Sequence, residues 1–157
     1  MSPDSLLTEI ASLLQQDLDR RSKAKAIAEA IRKHGGYRWT GMYDVDLRRG
    51  TVRNIAWSGA AAPEYPTFPA TKGLTSRAIA NKKTVNVGDV AGDPDYLTAL
   101  STTRSEIIVP VLDASDGRVI GTLDVESELP DAFDSAAQRW LEECAQVLKG
   151  FWADRAD

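Results

Sequence analysis

The stretches RSEIIVPVL, residues 104–112, and RVIGTLDVES, residues 118–127, decide the fold. Both are rich in β-branched residues and alternate between two faces, which is typical of strands. Ser115-Asp116-Gly117 lies between them and has turn-forming composition. The segment therefore predicts a β-hairpin.

The register of this hairpin decides which faces of the two strands combine. A two-residue turn at Asp116-Gly117 would place the apolar face of one strand on the same side as the acids of the other. A three-residue loop, with Gly117 in the left-handed conformation, makes the two apolar faces coincide, and we expect this register. The apolar faces are Ile107, Val109 and Val111 in the first strand and Val119, Gly121, Leu123 and Val125 in the second.

In the expected register three acidic residues gather on the other side of the hairpin. Glu106 lies opposite Glu126, and Asp124 lies opposite Ile108. Like charges that face one another across strands are destabilising. They therefore need a cationic ligand group, or a proton taken up by a carboxyl group of raised pKa. From residue type alone, a solvated acidic face is an equally good interpretation.

Helical periodicity marks both ends of the chain. The first helix begins at Ser2-Pro3, and the second runs from near Ser22 to His34-Gly35-Gly36, where a glycine can end it. We predict a single domain over 1–157, with N-terminal helices in 1–34, sheet and pocket loops in 37–127 and a C-terminal helix in 134–154. The first apolar stripe contains Leu6, Leu7, Ile10, Leu13, Leu14 and Leu18, and the last contains Phe133, Ala137, Trp140, Leu141, Cys144, Val147, Leu148 and Phe151.

The middle of the chain predicts further strands and one long loop. Strands are expected at 37–45 and 51–57, with Tyr37, Trp39, Tyr43 and Val45 on one face of the first. Three prolines within 58–71 predict an irregular loop there, which is a candidate wall or lid of a pocket or a simple crossover. A short helix at 73–81, a strand at 84–87 and a turn or helix at Asp93-Pro94 follow.

Composition limits the function classes. The chain has 157 residues, 43% of them hydrophobic, a net charge of −4 and one cysteine. No stretch approaches the roughly 18 apolar residues of a membrane span, and the lysines and arginines are scattered along the sequence. We therefore expect a soluble, cytoplasmic protein that binds neither membrane nor nucleic acid.

Four segments together resemble a known family. They are Lys72–Ala78, Val87–Val90, Arg104–Val111 and Gly121–Ser127. In this order and spacing they resemble a GAF domain, most similar to the free methionine-(R)-sulfoxide reductase branch, over Tyr37 to Trp152. The resemblance implies an α+β sandwich, with a central antiparallel sheet, terminal helices on one face and a small-molecule pocket on the other.

The resemblance also implies a set of binding residues. Glu106, Asp124 and Glu126 are expected to point into the pocket, where that branch holds an amino-acid ligand with equivalent acids. Trp39 and Tyr43 resemble the aromatic residues that wall the pocket. For these two, ordinary core packing is an equally good interpretation.

The sequence departs from the reductases at their cysteines. Two of the expected positions are Thr75 and Ala99, and the loop at 58–71 contains no cysteine. A thiolate and a resolving thiol are needed to reduce a sulfoxide. Cys144 lies on the apolar stripe of the last helix, and we predict a buried core thiol. His34, the only histidine, is predicted to be a helix-end residue.

These observations predict a non-catalytic, sensor-type signalling domain that binds a small molecule carrying an amine or another cationic group. No catalytic residue, metal or cofactor is expected. One alternative is a divergent methionine-sulfoxide reductase that uses Cys144 or a thiol of another chain. Another is a protein-interaction module with a vestigial pocket, and a homodimer is expected by family analogy. Three carboxylates holding a hard metal cation is a weaker alternative.

Overall fold

The computed structural model describes residues 2–97 and 100–153. Its helices are α1 (Pro3–Gln15), α2 (Arg20–Gly35), α3 (Gly73–Asn81), α4 (Ser135–Val147) and α5 (Lys149–Ala153), with a short 3₁₀ turn at Val90–Gly92. Its strands are β1 (Trp39–Asp46), β2 (Thr51–Gly59), β3 (Thr67–Pro69), β4 (Val85–Val87), β5 (Ser105–Leu112) and β6 (Val119–Ser127). They form one antiparallel sheet in the order β3-β2-β1-β6-β5-β4.

The N-terminal helices begin and end at the residues that cap them. The Ser2 side chain accepts a hydrogen bond from the backbone of Ser5, so α1 begins where the sequence predicts. Asp19 caps α2 in the same way, which starts that helix at Arg20, slightly before the predicted start. Gly36 ends α2 with a φ of 67°, in the left-handed region. Leu18, included in the predicted first stripe, lies beyond α1 and is 40% exposed.

The C-terminal segment is two helices rather than the single predicted one. The chain leaves α4 at Leu148 and continues as α5. Phe151 and Trp152 of α5 both lie in the core, where each is at most 5% exposed. Residue 154, the predicted last residue of the helix, lies outside the described residues.

The register of the β5–β6 hairpin is the predicted one. Glu106 pairs with Glu126, and Ile108 pairs with Asp124. The connection differs, however, because the chain forms a longer loop closed by Asp113 and Arg118, whose backbone groups are hydrogen-bonded at 2.8 Å. A β-bulge opposite Val111 and Leu112 inserts one extra residue into β6. From the Val111–Gly121 pair toward Glu106, the pairing is the expected one.

The bulge corrects one part of the predicted face assignment. Leu112 pairs with Val119 and Val111 pairs with Gly121, so Ile120 is the extra residue of β6. Val119 therefore packs on the opposite side of the sheet from Leu123, and Ile120 joins the side of Leu123. The predicted alternation is wrong at these two positions and correct from Gly121 onwards.

The two faces of the sheet carry separate cores. One face packs against α1, α2 and α4, with Met42, Ile107 and Leu123 fully buried beneath the helices. The other face lies toward α3 and the loops, with Trp39 and Tyr43 among its buried residues. Terminal helices on one face of an antiparallel sheet are the α+β sandwich that the sequence predicts.

Two local predictions are wrong. The loop at 58–71 contains β3, which pairs with β2 through Phe68 and Val52. Pro66 precedes β3 and Pro69 is its last residue, and both are tolerated because β3 is an edge strand. Tyr37 precedes β1 and packs on the helix side, with its ring 5.3 Å from that of Phe133. It therefore does not share a face with Trp39.

Within residues 2–97 and 100–153, no helix has the length and apolar character that crossing a lipid bilayer requires.

Candidate functional site

The three acids predicted from the hairpin lie together inside the protein. Glu106, Asp124 and Glu126 are 3%, 6% and 0% exposed. Each contributes a carboxylate oxygen to a group whose members all lie within 4.8 Å of one another. The alternative interpretation, a solvent-exposed acidic face, is wrong. The term acid triad is used below for these three residues.

A small cavity lies beside the acid triad. Its volume is about 20 Å³, close to the minimum that a single water molecule needs. Of the predicted site residues, Tyr43, Glu106 and Asp124 line it. The other lining residues are Tyr65, Phe68, Gly73, Leu74, Thr75 and Leu97. The predicted pocket loop thus supplies two aromatic walls, Tyr65 and Phe68, and α3 supplies the wall opposite.

The two remaining predicted residues, Trp39 and Glu126, lie next to the cavity and are not among its lining residues. Trp39 pairs with Glu126 across β1 and β6. The Trp39 ring centre lies 6.4 Å from that of Tyr43, and its indole Nε1 donates a hydrogen bond of 3.0 Å to the backbone oxygen of Ala61. Trp39 therefore packs against the Tyr43 ring, and its hydrogen bond to Ala61 anchors the loop that follows β2.

Sequence reasoning missed two residues that contact the acid triad. The Thr103 hydroxyl donates a hydrogen bond of 2.7 Å to Glu126 Oε1, and the Tyr96 hydroxyl donates to the same oxygen at 3.4 Å. Both residues precede β5 in a segment without strand or helix periodicity. No sequence pattern indicated that this segment returns over the sheet.

The segment carrying Tyr96 and Leu97 is attached to α3. Arg77 of α3 forms an ion pair with Asp93 and a second one, of 3.3 Å, with Asp95. The hydrogen bond from Arg77 lowers the pKa of Asp93. This arginine therefore holds in place the chain that covers one side of the cavity.

Burial sets the protonation of the acid triad. It raises the pKa of Glu106 well above its ordinary value, and the neighbouring carboxylates of Asp124 and Glu126 raise it further. Burial, with the charge of Glu126, likewise raises the pKa of Asp124 well above the ordinary value. Burial raises the pKa of Glu126 to about 7, although its hydrogen bond from Thr103 opposes this rise. The acid triad thus keeps protons near neutral pH.

The acid triad has no cationic partner in the described part of the chain. None of the ion pairs there includes Glu106, Asp124 or Glu126. Asp124 Oδ1 and Glu126 Oε2 are both buried and lack a hydrogen-bond partner. Buried polar atoms of this kind are costly unless a ligand, water or ion satisfies them.

No cysteine is among the described residues that line the cavity. Thr75, which stands at one expected cysteine position, lines the cavity and is 5% exposed. Ala99, at another, lies outside the described residues. Cys144 is fully buried in the core on the helix side, as predicted, and burial raises the pKa of its thiol to about 12.

Comparison with known proteins identifies relatives over most of the chain. The family model of the GAF domain matches residues 19–149. GAF domain-containing protein A of Dictyostelium discoideum is 27% identical over 151 residues, which cover 93% of this chain and 87% of that protein. The free methionine-R-sulfoxide reductase of Saccharomyces cerevisiae is 31% identical over 111 residues, covering 70% of this chain and 60% of the yeast protein.

A solved structure extends this similarity to three dimensions. The free methionine-R-sulfoxide reductase from Neisseria meningitidis, in complex with its substrate, superposes with a TM-score of 0.85. It is 32% identical, and the match covers 96% of this chain and 88% of that one.

Proposed function

The chain belongs to the GAF domain family, and from this premise we propose that it is a non-catalytic, sensor-type domain that binds a small molecule carrying an amine. One observation carries the proposal: a buried acid triad without a cationic partner adjoins a cavity walled by the rings of Tyr43, Tyr65 and Phe68. Signalling, a cytoplasmic location and a homodimer remain predictions.

An ammonium group suits this site on electrostatic grounds. It can donate a hydrogen bond to the buried oxygen of Asp124 that lacks a partner, since Asp124 lines the cavity, and Glu126 lies directly behind. Its charge also compensates the carboxylates, and it gains a further attraction from nearby aromatic faces. The volume of about 20 Å³ is enough for such a group alone. The rest of the ligand would displace the outer wall, where Tyr65 is 43% exposed.

The relatives narrow the class of ligand. The yeast and Neisseria proteins are named for the free methionine-R-sulfoxide that they reduce. A free amino acid presents an ammonium group, which is the chemistry that the acid triad suits. Thr75 in the cavity and Cys144 on the other face of the sheet support binding without reduction.

The test is a thermal-shift and calorimetric titration with free methionine-(R)-sulfoxide, other amino acids and polyamines. Each amino acid is paired with its N-acetyl derivative, which has the same side chain without the positive charge. A ligand that binds only the folded state raises the melting temperature by mass action. We expect stabilisation by an amine, its loss on acetylation, and at least about tenfold weaker binding in Asp124→Asn, since a charge-assisted hydrogen bond contributes about 1.5–3 kcal/mol.

Two further variants keep the test decisive. Thr75→Leu fills the cavity while keeping all three acids in the sequence, and it is expected to abolish binding. Glu128→Gln removes an exposed acid near the end of β6 and is expected to leave binding unchanged. Equal binding of the amine and its acetyl derivative would overturn the proposal. Sulfoxide reduction that is lost in Cys144→Ser would favour the divergent reductase instead.

A further inference from the structure

A second concavity, separate from the acid triad, lies at the turn between β1 and β2. Its volume is about 950 Å³, and Arg48, Arg49, Arg53 and Arg118 line it. Among the described residues, none lines both this concavity and the cavity beside the acid triad. It is called the arginine concavity below, after these four residues.

The sheet order brings these arginines together. Arg48 and Arg49 lie in the turn after β1, Arg53 lies near the start of β2, and Arg118 directly precedes β6. Because β1 is paired with β2 on one side and with β6 on the other, the three positions meet at one end of the sheet. The basic residues are scattered along the sequence, and the fold gathers these four at one end of the sheet.

The two acids that also line the arginine concavity are already engaged. Asp44 accepts two hydrogen bonds from the Arg20 guanidinium, of 2.7 and 2.6 Å. Asp46 Oδ1 accepts the backbone N–H groups of Arg48 and Arg49, each at 3.1 Å, and so shapes the turn. Neither acid is therefore left to neutralise the whole group of arginines.

Ion pairs compensate only part of the positive charge of these arginines. Arg49 lies 3.8 Å from Asp46, and Arg118 lies 3.6 Å from Asp116, with side chains at least half exposed for both arginines. Exposed pairs of this kind are weak. Asp44 lies opposite Arg53 across β1 and β2, and the four arginines that line the concavity outnumber its two acids. A protein of net charge −4 thus carries a local excess of positive charge here.

The shape and chemistry of the concavity suit a ligand with several anionic groups. Guanidinium groups bind phosphate and carboxylate through paired hydrogen bonds, and the arginines approach from three separate segments. Thr51 and Thr67 place hydroxyl-bearing side chains in the same lining, and Val45 and Val119 add buried apolar surface. The volume lies within the range of small-molecule sites, about 300–1,000 Å³.

We propose that the arginine concavity is a second binding site, which takes a small molecule bearing two or more phosphate or carboxylate groups. A single oxyanion would engage only one of the three segments. A nucleic-acid backbone would require a longer basic stripe. The site is independent of the amine site, so either proposal can fail without the other.

The test is an NMR titration of the ¹⁵N-labelled protein with pyrophosphate and, separately, with citrate at constant ionic strength. We expect saturable shifts at residues 48–53, Thr67 and 118–120. The double variant Arg53→Gln/Arg118→Gln is expected to bind at least about tenfold more weakly, since each charge-assisted contact contributes about 1.5–3 kcal/mol. The anion that binds more tightly identifies the phosphate or carboxylate class.

A matched control is Arg38→Gln/Arg104→Gln, which removes the same charge from exposed arginines outside the concavity. It is expected to change the affinity by less than about twofold. All four positions are exposed, and the spectrum itself reports whether each variant is folded. Three results would each overturn the proposal. The first is chemical shifts that spread equally to Arg38 and Arg104, the second is titrations that saturate with neither anion, and the third is a control variant that weakens binding as much as the double variant does.

Discussion

Glu106 and Glu126 face each other directly across β5 and β6, and both side chains are buried. Two ionised carboxylates in this position would repel one another in a medium that screens poorly. The protein tolerates the pair because burial and mutual repulsion keep Glu106 protonated. The stability of the domain is therefore linked to pH.

We predict that the folded protein loses stability as the pH rises from about 5 to about 8. The pKa of Glu126 is 4.5 in the unfolded reference and about 7 in the folded protein. Between these values the folded state binds more protons than the unfolded state, so the free energy of unfolding falls with rising pH. Glu126 alone accounts for a loss on the order of 3 kcal/mol, and the raised pKa values of Glu106 and Asp124 act in the same direction. Urea unfolding at the two pH values measures the sum.

Glu126→Gln is expected to make this pH profile less steep, because the amide does not titrate while Glu106 and Asp124 still do. Glu128→Gln is the matched control, since this nearby acid is exposed and paired with Arg38. A wild-type stability that rises over the same pH range would contradict the assignment of raised pKa values to the acid triad.

Gly121→Ala is predicted to destabilise the domain by about 2–3 kcal/mol, the range of an overpacked core. A Cβ atom at this position would lie 2.1 Å from the indole Nε1 of Trp152, which is buried. Gly92→Ala, where an added Cβ meets no atom within 4 Å, is expected to stay within about 0.5 kcal/mol of the wild type. Denaturant unfolding of the two variants provides the comparison.

The same contact can be isolated with a double variant. Trp152→Leu removes the ring and is destabilising by itself, but Gly121→Ala in that background should cost much less. If the two changes add without any coupling, the close approach of the glycine and the indole is not the cause.

Cys144 is predicted to resist thiol reagents in the folded protein. Burial raises the pKa of its thiol from 9.0 to about 12. Because the thiolate is the reactive form, this lowers the reactive fraction near neutral pH by about a thousandfold. Reaction with a coloured disulfide reagent should proceed in denaturant and nearly stop without it. Rapid labelling of the native protein would show that the thiol is accessible and would strengthen the reductase alternative.

Arg77→Gln is predicted to loosen the segment that covers the cavity. Loss of the ion pairs to Asp93 and Asp95 removes its attachment to α3. The backbone N–H groups of Asp95 and Tyr96 both donate to Asp93, so their hydrogen exchange reports the change. Exchange should accelerate by about tenfold. In Arg104→Gln, which loses a weaker pair of 3.8 Å to Asp89, these two groups should exchange as in the wild type.

The sequence predicted the hairpin register because patterning over two strands permits only one register. A slip of one residue would have placed Asp124 and Glu126 on the same side of the sheet as Ile107, Val109 and Val111, which the apolar alternation excludes. The same reasoning failed at Val119, because a bulge leaves no mark on the alternation of a short strand.

Other features depend on contacts between distant parts of the chain. Strand β3 has three residues, which are too few to show the two-residue alternation of a strand. It forms because it pairs with β2, where Phe68 lies opposite Val52. The hydrogen bonds of Tyr96 and Thr103 to Glu126, and the gathering of Arg48 and Arg118, arise only once the sheet is assembled. No local pattern in the sequence encodes them.

The bulge at Ile120 gives the hairpin a property that a plain turn lacks. The loop between Asp113 and Arg118 would by itself shift the pairing by one residue, and the bulge cancels that shift before the chain reaches Asp124. The bulge thus keeps Asp124 and Glu126 in register with β5 even though the loop at the hairpin tip is one residue longer than the pairing requires. The exposed tip at Ser115 and Asp116 can therefore accept an inserted optical reporter while the acids stay in place.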